Sequence, residues 1–324
     1  MARIAIEHVT EYAYHNPVGL TTHRLMVRPR DSHDLRLHGA TLKVDPAPSA
    51  IHWAHDVFGN SVCLLQWPDE LRTTTLRIVS TLDLMHFPDC PDLPAAALYP
   101  WAETYPFSYP ELEAPDLALL ATPQYPDPQG RVAAWARSFI GGEAVPTREL
   151  LSRITHAIKA DFRYGARHEE GTQTAAETID LGTGTCRDFA LLMMEACRHL
   201  GLAAKFVTGY LYDDCGTTRG GGFTHAWCSV YLPGAGWVEY DPTNGLIAGS
   251  NLVRIGVTRG PEQAVPVSGG YYGRAGDTKS LDVNVTVTAV PRSAKAKAPR
   301  ASASGGVKVR QQRAKPAPSP VTAA

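Results

Sequence analysis

From Arg3 to Tyr14 the chain reads RIAIEHVTEYAY, with apolar and polar positions alternating loosely. A period of two marks a half-buried strand. HGATLKVDP and VCLLQW are further short strand candidates, and TTTLRIVSTLDLM is rich in β-branched residues. Turn-forming stretches, PRDSHD, DPAPS and FGNS, separate them. Residues 1–90 therefore read as an N-terminal β domain, expected as one antiparallel sheet of about five to seven strands. From Pro88 to Pro110 the prolines at 88, 91, 94, 100, 106 and 110 oppose regular structure, and 91–145 reads as a connecting segment with short helices.

The period then lengthens. DLALLA and GRVAAWARSFIGG are short helical patterns, the second ending at a Gly-Gly stop. In PTRELLSRITHAIKADFRYG, Leu150, Leu151, Ile154, Ile158 and Phe162 share one helical face, with Thr147 expected as the N-cap. CRDFALLMMEACRHLG repeats the pattern through Phe189, Met193, Ala196, Cys197 and Leu200, and Gly201 falls where a helix ends. Strand patterns return in AAKFVTGYLYD, THAWCSVYL and GWVEYDP, and SLDVNVTVTAV alternates strictly. Residues 146–291 are thus one unit of helices and following strands, and the Ala/Lys/Pro/Ser mixture of 292–324 is expected to be disordered.

Composition adjusts this picture in three places. No uncharged apolar run approaches the roughly 18 residues of a membrane-spanning helix. The first residues carry Arg3, Glu7 and Glu11 in place of a signal-peptide core, which predicts a cytoplasmic protein. The net charge is −1, but from Arg292 onward there are eight Lys/Arg and no Asp/Glu, so the preceding body holds 23 basic against 32 acidic residues. An acidic body argues against a dedicated nucleic-acid domain, and the basic tail reads as a solvated extension.

Six cysteines, at 63, 90, 186, 197, 215 and 228, form no CxxC pair, so neither a zinc site nor a disulfide framework is expected. Each stands on its own surroundings. Cys186 opens a helical pattern, with Gly182 and Gly184 allowing close backbone approach before it. A helix N-terminus stabilises a thiolate through free N–H groups and the helix dipole. Cys197 lies on the apolar face of the same helix and reads as core. Asp188 reads as a first-turn acid complementing the dipole.

A nucleophilic cysteine needs a base and a group to orient it. His225 begins the strand HAWCSVYL and Asp241 ends the next, GWVEYD, with Pro233-Gly234-Ala235 between. A three-residue loop pairs Leu232 with Gly236 and Tyr231 with Trp237, so Trp227 faces Asp241 and His225 faces Thr243. His225 and Asp241 then lie diagonally on one face, roughly 7–8 Å apart at Cα. A two- or four-residue loop would put them on opposite faces.

GTCRDFALLMMEACRHLGLAAKFVTGYLY followed by HAWCSVYLPGAGWVEYDPTNG resembles the core of the bacterial transglutaminase-like superfamily, a branch of the papain-like cysteine enzymes. The resemblance is close over 150–246, continues through NLVRIGVTRGPEQAVPVSGGYYG, and takes in EYAYHNPVGLTTHRLMVRPR near the start. It implies an α+β fold, a papain-like or transglutaminase-like core with a helix-start cysteine packed on an antiparallel sheet, preceded by an antiparallel β domain. By position it implies Cys186 as nucleophile, His225 as base and Asp241 as its orienter. DFALLM stands where a histidine is more usual after the alanine, and Cys228 is an uncommon strand residue; neither touches these three positions.

The implied chemistry is acyl transfer on a protein or peptide amide through a thioester, passed to water or to an amine. The Cys186 N–H would meet the oxyanion together with a second donor, for which Trp227 and Tyr164 are candidates. No D-x-D-x-D-G loop appears, so no calcium, and no other cofactor, is expected. Two rivals are an arylamine N-acetyltransferase, whose cysteine would precede the β domain, and a non-catalytic protein- or peptide-binding module that kept the fold.

Overall fold

The structure, a computed structural model, describes residues 2–87, 97–142, 144–165, 171–212, 222–247 and 251–289. Cys90, Cys215, residues 88–96 of the Pro-rich segment and the tail 292–324 lie outside the described residues.

The alternation at the start of the chain produces β1 (Ala2–Leu20), which buries Ile4, Ile6, His8 and Thr10 and exposes Arg3, Glu7 and Glu11. It is followed by β2 (His23–Arg28), β3 (Leu35–Asp45), β4 (Ala50–His55), β5 (Ser61–Gln66) and β6 (Thr73–His86). These do not make the single sheet expected. β1, β6 and β3 run side by side in one antiparallel sheet, while β2, β5 and β4 form a second. Leu25, Cys63 and Leu65 of the second sheet pack on Tyr14, Leu76 and Ile78 of the first, making a two-layer sandwich. Alternation marks which face of a strand is buried but not which strand lies beside it.

The connecting segment contributes β7 (Thr104–Tyr105), α1 (Ala114–Leu117) and α2 (Arg131–Arg137), and β7 pairs with β8 (Val145–Pro146). Helix α3 (Thr147–Asp161) follows at once. Thr147 is its first residue and not its N-cap; the buried hydroxyl donates to the Ala102 carbonyl at 2.6 Å. After β9 (Arg163–Tyr164) comes a helix that periodicity did not signal, α4 (Ala175–Leu181). Its N-cap Thr174 and Glu177 form a capping box, in which the Thr174 hydroxyl accepts from the Glu177 N–H at 3.2 Å and the Glu177 carboxylate accepts from the Thr174 N–H at 2.8 Å. Gly182, read from the sequence as room for close approach, instead ends α4 in the left-handed region at φ 60°.

Then come β10 (Thr183–Gly184), α5 (Cys186–His199), β11 (Ala204–Leu211), β12 (His225–Leu232), β13 (Gly236–Asp241), β14 (Leu246–Ile247) and β15 (Leu252–Thr258). The third sheet has the order β14-β13-β12-β11-β15, antiparallel throughout. One face of α5 (Phe189, Met193, Ala196, Cys197) packs on Phe206, Ala226, Cys228, Val230 and Tyr240 of that sheet. Leu150, Ile154 and Ile158 of α3 belong to the same apolar cluster. Gly201 sits where the sequence placed it: its N–H donates to the Arg198 carbonyl, and that of Leu202 to the Cys197 carbonyl, both at 2.9 Å.

The last strands return to the start of the chain. β16 (Val267–Ser268) pairs with β2, β17 (Tyr271–Tyr272) with the end of β1, and β18 (Thr278–Ala289) with most of β1. Tyr210, Val253 and Ile255 of the third sheet also join Ile4, Ile6, Leu82 and Leu84 in one buried cluster. Residues up to Pro291 accordingly form one compact unit. Among the described residues, no helix is long and apolar enough to cross a membrane.

Candidate active site

Cys186 is the first residue of α5, and its side chain is 8% exposed. Thr185 holds the N-cap position in extended conformation, and Asp188 turns back to accept from the Thr185 N–H at 2.8 Å and hydroxyl at 2.9 Å. The other Asp188 oxygen accepts from the Gln173 N–H at 2.7 Å, tying the preceding loop to the helix start. Asp188 is thus a fully buried cap, more built-in than the sequence suggested. A Cβ on Gly184 would stand 2.9 Å from Asp188 Cβ and 3.0 Å from the Phe189 ring, so only glycine admits this first turn so close. β10 pairs in parallel with β9, placing Tyr164 beside Gly184. The first-turn N–H groups of α5 have no partner within the helix, and they lie at the positive end of its dipole.

The β12–β13 hairpin has the register expected from the three-residue loop, with Leu232 opposite Gly236, Tyr231 opposite Trp237 and Cys228 opposite Tyr240. His225 and Asp241 therefore share a face, and His225 Nε2 lies 2.9 Å from Asp241 Oδ2. Both side chains are closed off from solvent. Asp241 Oδ1 accepts the backbone N–H of Thr243 at 2.9 Å and of Asn244 at 3.3 Å, and Oδ2 also accepts the Asn244 side-chain amide at 2.8 Å. Asn244 was not singled out from the sequence. The D-P-T-N turn was the available signal, because a turn-opening aspartate accepts from the amides that follow it.

These contacts set the charges. Burial opposes ionisation of Asp241, but the His225 ring and the Asn244 donors outweigh it and hold the carboxyl below the usual range. Burial likewise opposes the imidazolium, yet Asp241 and the Cys186 thiol push His225 up to about 10. With Nε2 committed to Asp241, Nδ1 is left without a hydrogen-bond partner, and it is the ring nitrogen open to Cys186. The ring's second neighbour is Trp227, whose centroid is 6.0 Å away at an interplanar angle of 31°.

Among the described residues, the other cysteines stand apart. Cys197 and Cys228 are fully buried in the α5 cluster, where burial and the neighbouring Cys197 raise the Cys228 thiol well above its ordinary value. Cys63 lies in the sandwich, where burial pushes its thiol up to about 11. Of the two oxyanion candidates, the Trp227 indole N–H is buried with no hydrogen-bond partner, and Tyr164 is half-buried against Phe189.

The start of α5 thus carries Cys186, and the β12–β13 hairpin carries the buried His225–Asp241 pair that interacts with its thiol. Residues 133–242 match the transglutaminase-like superfamily, and residues 4–84 match the bacterial transglutaminase-like N-terminal region. An uncharacterized protein of Mycobacterium tuberculosis H37Rv is 30% identical over 294 residues, covering 88% of this chain and 92% of that protein. One from Mycobacterium leprae is 27% identical, covering 88% and 99%. The chain belongs to the transglutaminase-like superfamily, with the bacterial N-terminal region ahead of its core. Its fold is shared by a Cytophaga hutchinsonii protein described as a candidate cysteine protease, with a TM-score of 0.66 and 20% identity over 91% of this chain and 93% of that one.

Proposed function

We propose that this protein is a cysteine-dependent acyl-transfer enzyme acting on protein or peptide amides, with Cys186 as nucleophile, His225 as base and acid, and Asp241 as the group that orients His225. The observation that carries this reading is the buried His225–Asp241 bond, which leaves Nδ1 free on a ring that also interacts with the thiol at the α5 N-terminus.

The chemistry follows from that division of labour. The Cys186 proton passes to His225 Nδ1, and the imidazolium is stabilised by Asp241. The thiolate attacks the amide carbonyl carbon, and the Cys186 backbone N–H at the helix start donates to the developing oxyanion. As the tetrahedral intermediate collapses, the C–N bond breaks and the departing amine takes the proton from His225. The resulting thioester is opened by water, completing hydrolysis, or by an amine, completing transfer.

Labelling with iodoacetamide at pH 6, where an ordinary thiol reacts slowly, tests the pair directly. Selective modification of Cys186, lost in His225→Ala, is the expected result. Slow modification of all six cysteines alike would favour the non-catalytic binding module. Ammonia release from glutamine peptides, set against peptide-bond cleavage, identifies which kind of amide is the substrate.

A further inference from the structure

Trp227 is a large side chain seated where the backbone was cleared for it. Gly209 stands opposite His225 on β11, and a Cβ there would meet Trp227 Cη2 at 2.6 Å and the Val253 carbonyl at 2.2 Å. The indole therefore lies across β11 against the bare glycine. On the far side of Gly209, directly paired with it, is Arg254 of β15. His225, Gly209 and Arg254 thus form one row across three strands, with the Trp227 ring alongside.

Arg254 is held at both ends. Nη1 donates to Glu239 Oε1 at 2.7 Å, and Nη2 donates to Asp34 Oδ2 at 2.8 Å. Glu239 sits opposite Ser229 on the hairpin, which puts it on the face that carries Trp227, His225 and Asp241. On that face Trp227 is the diagonal neighbour of Glu239, and its indole N–H is buried without a hydrogen-bond partner. Asp34 belongs to the loop between β2 and β3 of the sandwich, and its own backbone carbonyl accepts from the Phe87 N–H at 2.7 Å, fixing the loop. Ion pairs thus join Asp34, Arg254 and Glu239, and Trp227 lies next to Glu239 on the same face, beside the His225 ring.

We propose that the N-terminal β region holds His225 in its working position through this connection, with Arg254 as the positioning residue, Glu239 and Trp227 as the transmitting side chains and Asp34 as the anchor. The inference rests on the catalytic reading of His225 given above. Arg254 touches neither Cys186 nor a substrate amide; it acts through the Trp227 ring. A planar guanidinium engaging two carboxylates fixes direction as well as charge, which a lysine does not reproduce. Small displacements of a general base carry large rate penalties, so a support of this kind has a kinetic consequence.

The experiment uses the full chain with Asp34→Asn, Arg254→Ala, Arg254→Lys and the double variant Asp34→Asn/Arg254→Ala. Two readouts are taken at fixed pH: the rate of Cys186 modification by iodoacetamide at pH 6, and the chemical shifts of the His225 imidazole in each variant carrying Cys186→Ala. The single variants are expected to slow modification by about tenfold and to move the His225 signals, the double variant no more than the worse single one, since the residues act in series. Arg254→Lys is expected to resemble Arg254→Ala. Unfolding curves identify any variant whose loss is one of folding, and Asp34→Asn, at the partly exposed end, then carries the decision. Unchanged His225 signals and unchanged modification in folded variants overturn the proposal. If Cys186 is not selectively modified in the wild-type chain while the His225 signals still move, the catalytic reading fails and the positioning one stands.

Discussion

His225 Nε2 and Asp241 Oδ2 meet at 2.9 Å across a hairpin, and neither side chain is open to solvent. The carboxylate does more than attract the ring. It spends one oxygen on the amides of its own turn and the other on His225 and the Asn244 side chain, so the direction from which it approaches the imidazole is fixed.

That geometry predicts unequal losses from two substitutions. Asp241→Asn keeps the shape but lets the wrong imidazole tautomer form, and acyl transfer should fall by about 10⁴-fold, the scale of the same change in a Ser-His-Asp triad. Asn244→Ala removes one donor and leaves the carboxylate, so the loss should stay near tenfold, about 1.4 kcal/mol. Turnover of the best glutamine or peptide-amide substrate measures both. A larger loss for Asn244→Ala than for Asp241→Asn would contradict the assigned roles.

A second expectation concerns pH. His225 is raised to about 10 from an ordinary value near 6.5, so its charged form contributes stability that is fully present below pH 6.5 and lost as pH rises through about 10. Asp241 is lowered, so its contribution is present above the ordinary carboxylate range and lost on acidification. NMR titration should find the His225 ring still charged at pH 8, with an alkaline decline in acyl transfer near pH 10. A ring that titrates near 6.5 in the intact protein would contradict the ion pair.

His8 behaves in the opposite sense. It is buried where β1 meets β11, with Nδ1 2.9 Å from the Tyr210 hydroxyl and Nε2 3.1 Å from the Thr10 hydroxyl. Both partners are neutral, and burial lowers its pKa to about 4. The unfolded chain takes up this proton near pH 6.5 and the folded one only near 4, so stability falls as pH drops across that window, by about 3 kcal/mol in all. Denaturation at pH 7 and pH 4.5 should show a smaller pH dependence in His8→Gln than in the parent chain.

Arg198 and Glu195 give a test of stability alone. Their side chains pair at 2.9 Å with essentially no exposure, Arg198 also donates to the carbonyls of Leu120, Ala204 and Arg259, and Glu195 accepts from the amides of Gln124 and Tyr125. The pair fastens the connecting segment to α5. Arg198→Ala leaves a buried carboxylate and several carbonyls unmatched and should cost about 3–5 kcal/mol in chemical denaturation. A cost below about 1 kcal/mol would show that water replaces the guanidinium.

Local pattern carried a good part of this structure. The start of α5 at Cys186 and its end at Gly201 follow from helical spacing and a glycine stop, and the parity of His225 and Asp241 follows from counting residues around one turn. The capping box at Thr174 and Glu177 was also written in the chain, but a seven-residue helix has too few turns for periodicity to reveal it. Asn244 lay beyond the strand pattern, in a turn whose hydrogen bonds depend on where Asp241 points.

What the sequence by itself determined is which residues of the hairpin share a face and where α5 begins and ends, because both depend on neighbours a few positions away. What only the tertiary structure decided is pairing over long separations. Strands β16 to β18 join β1 and β2, the N-terminal strands divide between two sheets, and Asp34 meets Arg254 across 220 positions. Such contacts are chosen by burial of apolar faces and pairing of charges summed over the whole fold, and no local period encodes which distant partner satisfies them.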